Sequence, residues 1–520
     1  MYYMDSNKEK PNSQELLEYI QEVSERGFRI SDDAEEKRNK LNAAANCLKL
    51  SLEKYGIDNP NSARQITGYI KSLALEVVGE GRNIIAETCY DSRTNKWTSK
   101  AEALEILADH GVEFAKEVLE YRDAKKRVES LDSLLSSMDE GRMVHPQVGL
   151  TVTNRITFSN PAIMSIHKDV LWEVLSPIKK GDRLYSVDIK NQEPHILISL
   201  SESTELYDAL EAEEGLYEYM FKLAFQPTAE LNIVFNRLDT NKQVFVSDFI
   251  HWNGYDNPVE LCGDKKATCQ GYYFNNKRVV AFERVCYNIS DISTAVFPDA
   301  VSIILEDNSV ARVPVEWNFN GNLDNILKKG KDTKITGKLS DVELRVIPQE
   351  RKEFKVSWLS LCYGAGRERI ISCCQSIDGA RVYEFITNIS GIKKYRSMVR
   401  KFAKKKPRYV PTVFGTLIPI NGDESDRNKL ERNLLDYPIQ GTGADILALL
   451  IKHFNSEVKA RGLQDKMMFY MPRHDELVIE VNSSYELEVG EARVIETLSD
   501  ILGHQVDGWK PFKIEIKAVN

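Results

Sequence analysis

The chain has 520 residues and a mass of 59.3 kDa, room for roughly three or four domain-sized units. Its composition, 42% hydrophobic and 28% charged with a mean hydropathy of −0.38, is that of a soluble globular protein, and apolar runs such as 446–451 are too short to span a bilayer. A net charge of −9 excludes indiscriminate coating of nucleic acid but leaves room for a local basic groove.

Residues 1–14 are polar and read as a frayed end with no secretory signal, so a cytoplasmic location is expected. From 13 to 52 apolar residues recur at three- and four-residue spacing, first Leu16, Leu17, Ile20 and Val23, then Leu41, Ala45, Leu48 and Leu52. That spacing predicts helix. DNPNS at 58–62 is a turn that starts the next helix, a polar loop follows at 91–98, and 99–135 is strongly helical. The texture changes at Gly141, and 144–166 is β-like, with TVTNRITFSNP at its centre. In 184–200, LYSVDIKNQEPHILISL, Tyr185, Val187 and Ile189 alternate with Ser186 and Asp188, which predicts a half-buried strand and then a helix. Helices continue to about Phe225, and 228–340 is rich in β-branched and aromatic residues with turn pairs, a small β module. Helical texture returns from Val342. A hairpin-like YVPTVFGTLIPING precedes a long helical stretch at 425–454, and 467–481 reads as strand, turn, strand with PRHDE at the turn. The eight cysteines are too sparse for a disulfide framework, and Cys262, Cys269, Cys286 and His251 lack a usual zinc spacing, so free thiols are expected.

Asp188 and Asp475 both stand at strand ends in apolar patterns. Two such carboxylates can share two Mg²⁺ ions with substrate phosphates. Ions about 4 Å apart suit an in-line phosphoryl displacement, in which positioning and electrostatics do most of the catalysis. In RKEFKVSWLSLCYG, Arg351, Lys355, Leu359 and Tyr363 recur every four residues, one stripe of a helix. Two cations would meet the phosphates of a nucleotide, then an apolar residue and a phenol its base and sugar. Gly364 follows and could end the helix. Arg432, Asp436 and Gln440 repeat the spacing; Pro438 is expected to break the ladder, and Gln440 suits a minor-groove edge. KKYRSMVRKFAKKKPR at 393–408, with Tyr395 and Phe402, is a basic segment suited to nucleic acid. Taken singly, each stretch also fits an amphipathic helix or a solvated face.

Taken in order, they resemble the polymerase domain of the family A DNA polymerases. SVDIKNQEPHILISLS resembles the first catalytic motif, RKEFKVSWLSLCYG the fingers helix, PIQGTGADI the glutamine-bearing helix and RHDELVIEV the second catalytic hairpin. TVTNRITFSNP resembles the arginine motif, EFAKEVLEYRDAKKR the thumb segment, and RGFRISDDAEEKRNKLN with NPNSARQI the start of the domain. The resemblance covers about 25–225 and 340–520. It implies an α+β fold, a right-hand polymerase of palm, thumb and fingers with a β-rich insertion in the fingers. The implied divisions are a frayed 1–24, a helical palm-edge and thumb region 25–145, palm 146–227, the insertion 228–340, fingers 341–424 and palm 425–520.

The implied catalytic residues are Asp188, Asp475, Glu476 and Lys355, with Asp188 and Asp475 as ligands of two Mg²⁺ ions, for which Mn²⁺ could substitute. Arg351, Lys355, Leu359 and Tyr363 would hold the incoming deoxynucleoside triphosphate, and Glu193 would exclude a 2′-hydroxyl. Arg155, Arg432, Gln440 and His474 would contact primer–template or a single-stranded DNA template. Four departures from the family pattern stand out: Leu359 for an aromatic residue, Asp436 for Asn, His195 for Arg and Asn154 for Gly. The separation of Asp188 and Tyr363, 175 residues, is also longer than usual, and the excess is the β module.

The function implied is template-directed DNA synthesis by nucleotidyl transfer. Because the polymerase-like region begins near the N-terminus, no room is expected for an exonuclease domain, hence no proofreading. A phage or mobile-element replication role is expected. A narrower likeness, to the primase-like polymerases of staphylococcal chromosome cassette elements, adds primer synthesis with a small companion protein, for which the β module is the candidate dock. Lys328 to Lys334 could touch nucleic acid there. No membrane partner is expected. The alternatives are gap-filling or lesion-bypass repair synthesis and, from a different class, a non-catalytic primer–template-binding scaffold.

Overall fold

The computed structural model describes residues 13–76, 84–91, 94–109, 111–235, 244–251, 271–282, 285–289, 299–318, 333–374, 376–405, 407–420, 426–502, 509 and 511–519. The chain folds into two compact units that do not follow chain order. One is built from Pro11–Lys190, Ile446–His504 and Lys513–Asn520, the other mainly from Asn191–Asp445 with a short piece, Gln505–Phe512.

The first unit centres on a four-stranded antiparallel sheet in the order Met467–Arg473, Glu476–Val481, Arg183–Ile189, Ile514–Ala518. Arg183–Ile189 is the strand predicted from its alternating residues, but where a half-buried strand was expected, four successive residues, Leu184 to Val187, are buried, so both of its faces are covered. The helix Ser13–Arg26 and strand Phe28–Ile30 tie into the outer hairpin strand. Arg26 donates to the carbonyl of Phe469 at 3.0 Å, and the Tyr470 hydroxyl accepts from the Arg29 amide at 2.8 Å and donates to the Ser176 carbonyl at 2.8 Å. The helices Ala34–Ser51 and Glu113–Ser136 pack together, and a cluster including Ile66, Leu104, Leu107 and Phe114 fills the helical part.

The second unit contains the helices Gln192–Leu200, Leu216–Ala224, Pro348–Cys362, Gly379–Asn388 and Ser390–Ala403. Phe221, Phe225, Phe354 and Trp358 are fully buried among them, with Phe221 and Phe354 edge to face at 5.7 Å. Among the described residues between Thr228 and Leu344 there are nine strands. Their pairing is a meander: Thr228–Phe235 with Val244–His251, then Val285–Ile289, with Lys277–Phe282 joining Ala300–Leu305, then Val310–Trp317 and Thr333–Leu339, which returns to Thr228–Phe235. Beyond Lys277–Phe282 lie Tyr272–Phe274 and then Glu343–Leu344, so the strands form one nine-stranded sheet with Val285–Ile289 at one edge and Glu343–Leu344 at the other.

Several expectations are corrected. Helix begins at Ser13, as the spacing predicts, but the 13–52 stretch is interrupted by the strand Phe28–Ile30, where RGFRIS leaves the helical spacing. The 91–98 loop holds a short hairpin of Tyr90–Asp91 with Lys96–Trp97. Pro438 does not end its helix: Arg427–Ala460 runs through it. Proline there removes one backbone donor, but Leu434, Pro438 and Ile439 are all buried, and that packing keeps the helix continuous. Cys262, Cys269 and residues 328–332 lie outside the described residues.

Candidate active site

The antiparallel register puts Glu476 directly opposite Asp188, and on the other edge Glu515 is also opposite Asp188. Directly paired residues share a face, so three carboxylates lie in a row across the sheet. Asp475 joins them from the two-residue turn between Arg473 and Glu476, where His474 adopts the left-handed conformation at φ 55°. Burial, then the charges of Glu476 and Asp475, push the Asp188 carboxyl up to about 6, while Lys168 works the other way. Glu476 is buried; Ser186 donates to one oxygen at 3.2 Å and the Lys168 ammonium to the other. Lys168 also lies over the Trp172 ring at 5.7 Å, and Arg473 lies over the same ring at 5.5 Å. Glu515 is held by Lys190 at 3.1 Å and Lys517 at 2.9 Å.

Among the described residues no three His, Cys, Asp or Glu side chains form a ready metal cluster. The carboxylate row nevertheless fits a hard divalent cation. Mg²⁺ is commonly held by one or two carboxylates and completes its shell with water and phosphate oxygens. The repulsion that raises Asp188 is relieved by a cation.

Arg155 sits in the turn joining Gln147–Leu150 to Ile156–Ser159, and its positive charge is felt by His474. Desolvation, then Arg473 and Arg155, lowers the His474 pKa, while a bond with the Met164 backbone raises it. Asn154, where the family usually has Gly, has φ 60°. Asn is among the few side chains that adopt that conformation readily, so the turn survives the change.

The other predicted residues fall in the second unit. Arg351, Lys355 and Leu359 lie on Pro348–Cys362, which ends at Tyr363; Gly364, at φ 78°, turns the chain where a Cβ would come within 3.1 Å of Arg432. The Tyr363 hydroxyl donates to Glu193. Leu359 is half-buried and Trp358 fully buried, so Trp358 does not take the place of the missing aromatic. Arg432, Asp436 and Gln440 share one face of Arg427–Ala460, with Arg432 exposed and the other two half-buried. His195 is buried against Phe512, ring centroids 4.0 Å apart. Arg432 also lines a cavity of about 500 Å³ with Arg396, Arg400, Tyr383 and Gly364. Burial lowers the Arg396 pKa. The basic helix Ser390–Ala403 thus supplies two of the cavity's three arginines.

The sequence profile of DNA polymerase family A matches residues 32–238 and 320–515. The chain belongs to that family. The unmatched stretch between, 239–319, lies between the first and last strands of the β-rich region. DNA polymerase I of Aquifex aeolicus is 26% identical over 193 residues, 35% of this chain and 32% of the relative. DNA polymerase I of Streptococcus pneumoniae serotype 4 is 30% identical over 151 residues, 28% of this chain and 17% of the relative. The match therefore spans about a third or less of these relatives' lengths. Among solved structures, the POL domain of Pol1 from M. smegmatis, in complex with DNA primer-template and dNTP, aligns at a TM-score of 0.60 with 16% identity, covering 97% of this chain and 68% of that one. The α+β fold is accordingly that of a family A polymerase domain.

Lys168, Arg473, Glu515, Arg396 and Glu218 were not singled out from sequence. Lys168 lies 308 residues from Glu476, and no spacing rule links the two. Arg396 was visible only as part of the basic run.

Proposed function

We propose that the chain carries out template-directed DNA synthesis by nucleotidyl transfer. The observation that carries this reading is the register that sets Asp188 opposite Glu476, with Asp475 at the adjoining turn. A bound pair of divalent ions, held by Asp188 and Asp475, would supply charge neutralisation at the reacting phosphate. The chain's own residues do the rest. Lys168 and Ser186 fix Glu476. Arg351 and Lys355 bind the outer phosphates. Tyr363 holds the Glu193 carboxylate, which stands against a 2′-hydroxyl. Arg155, His474, Arg432 and Gln440 bind primer–template.

Primer extension with Mg²⁺ tests this: wild type should extend a primed template, and Asp188→Ala or Asp475→Ala should not. Activity unchanged in either variant would overturn the assignment, and failure of the wild type to extend would favour a non-catalytic scaffold. The finer reading is replication of a mobile element without proofreading, with primer synthesis aided by a small companion seated on the β module. What supports it is that the middle of that module, 239–319, lies outside the family match. Unprimed single-stranded DNA, tried with and without small neighbouring-gene products, separates the readings. Strict primer dependence under all conditions would leave gap-filling or lesion-bypass synthesis.

A further inference from the structure

Arg351 and Lys355 lie one turn apart on Pro348–Cys362, and both cations stand over the buried ring of Tyr217, at 5.8 and 5.5 Å from its centroid. They are held differently. Lys355 is exposed and makes no hydrogen bond or ion pair among the described residues. Arg351 donates from Nε to Glu218 Oε1, and its two terminal nitrogens bond nothing among the described residues. A guanidinium is a rigid planar fork with five donors. Engaging it at Nε fixes its plane and leaves the edge between Nη1 and Nη2 open, the edge that can grip two oxygens of one phosphate.

Glu218 is built into that position. It lies in the first turn of Leu216–Ala224, with its side chain only 21% exposed. Its second oxygen is buried with no hydrogen-bond partner. The preceding Gly215 has φ 101°, and a Cβ there would approach that oxygen to 2.9 Å, so the glycine makes room for the carboxylate. A buried, unpaired carboxylate oxygen is unfavourable, so the side chain is held by what its other oxygen does.

We propose that Glu218 is a positioning residue for nucleoside-triphosphate binding: it orients Arg351 so that the arginine's free edge meets the phosphates. This rests on the proposed role of Arg351. A carboxylate beside a phosphate site also repels the ligand. Here its charge is already matched by direct contact with Arg351, whereas a free arginine side chain has a large rotamer entropy to lose on binding. Ordering therefore outweighs repulsion.

The test is equilibrium binding of a non-hydrolysable deoxynucleoside triphosphate analogue to the full chain with primer–template, together with KM and kcat for extension. The variants are Arg351→Ala, Glu218→Gln, Glu218→Asp, Glu218→Ala and the double alanine. Arg351→Ala should weaken binding about tenfold or more. Glu218→Ala and Glu218→Asp, which loses reach but keeps charge, should weaken it about three- to tenfold, seen in KM with kcat within about twofold. The near-isosteric Glu218→Gln should fall between, and Glu218→Ala should add nothing once Arg351 is gone. If Arg351→Ala weakens binding while Glu218→Ala leaves it unchanged or tightens it, the positioning role alone is overturned. Wild-type behaviour of Glu218→Asp overturns it too, since charge without reach would suffice. If Arg351→Ala itself has no effect, the phosphate-grip reading fails and the proposal with it.

Discussion

Asp188 is charged where its surroundings resist charge. Its carboxyl is half-buried, faces Glu476 and Glu515 across two strand pairings, and is pushed up to about 6. Removing the carboxylate therefore costs the fold little and the proposed chemistry nearly everything. Asp188→Asn, which keeps the volume, should lower primer extension by about a thousandfold or more while the melting temperature holds or rises. Activity within tenfold of wild type would sink the role. Glu193 and Tyr363 make a second test. Glu193→Ala should relax discrimination against ribonucleotides by about tenfold or more, and Tyr363→Phe, which only removes the hydroxyl that holds Glu193, by a smaller factor. Competition between deoxy- and ribonucleoside triphosphates in extension reads both; selectivity unchanged in Glu193→Ala removes its gate role. Asp188 and Asp475 were legible because each interrupts a strand pattern. Lys168 and Glu218 were not, because each is defined by a partner far away in the chain, Glu476 for one and Arg351 for the other.

Among elements, the long helix Arg427–Ala460 shows how tertiary contacts overrule a local rule. Pro438 should stop a helix, yet this one continues for 34 residues. Its residues 441–450 are buried throughout, and Asp445 in that run is reached by two threonines of the adjacent hairpin, Thr412 at 2.6 Å and Thr416 at 3.1 Å. Burial raises the Asp445 carboxyl to about 6 from an ordinary 3.8, against the two hydroxyls that lower it. A carboxyl raised on folding is protonated more readily in the folded state. Its cost is absent below about pH 4 and complete above about pH 6. Asp445→Asn should thus be the more stable protein near pH 8, by about 1–3 kcal/mol, and the advantage should vanish near pH 4. Urea melts at both pH values check it, and a difference independent of pH would show that Asp445 does not titrate with folding. The helices and the strands that flank Asp188 and Asp475 were legible from periodicity. The strand Ile514–Ala518 was missed although Ile514, Ile516 and Ala518 alternate with Glu515 and Lys517: it is five residues long, none of them buried, and its place is set by pairing with Arg183–Ile189.

At the scale of the whole molecule, composition and strand texture marked a β module, but its strand order could not be read. Strand order is a statement about which strands pair, and Thr228–Phe235 pairs with Thr333–Leu339, about a hundred residues on, which no local pattern announces. That pairing has a consequence for the chain around it. The two strands run antiparallel, with Ala229 opposite Gly337, so the chain enters and leaves the module side by side. Antiparallel partners sit about 4.5–5.5 Å apart, a gap that a short turn closes. Replacing 230–336 by a four-residue Gly/Ser linker should leave the remaining chain folded. The main loss is Tyr272, buried and bonded through its hydroxyl to the Phe225 carbonyl at 2.6 Å, which predicts a drop of a few degrees in melting temperature and no more than about a tenfold loss of primed extension. If the β module is where a companion docks, any stimulation by that companion, and any synthesis on unprimed DNA that depends on it, should disappear in the same variant. Circular dichroism and paired primed and unprimed assays decide the matter. Loss of both activities in a folded protein would make the module part of the polymerising machinery, and retention of both would leave it without a role in either.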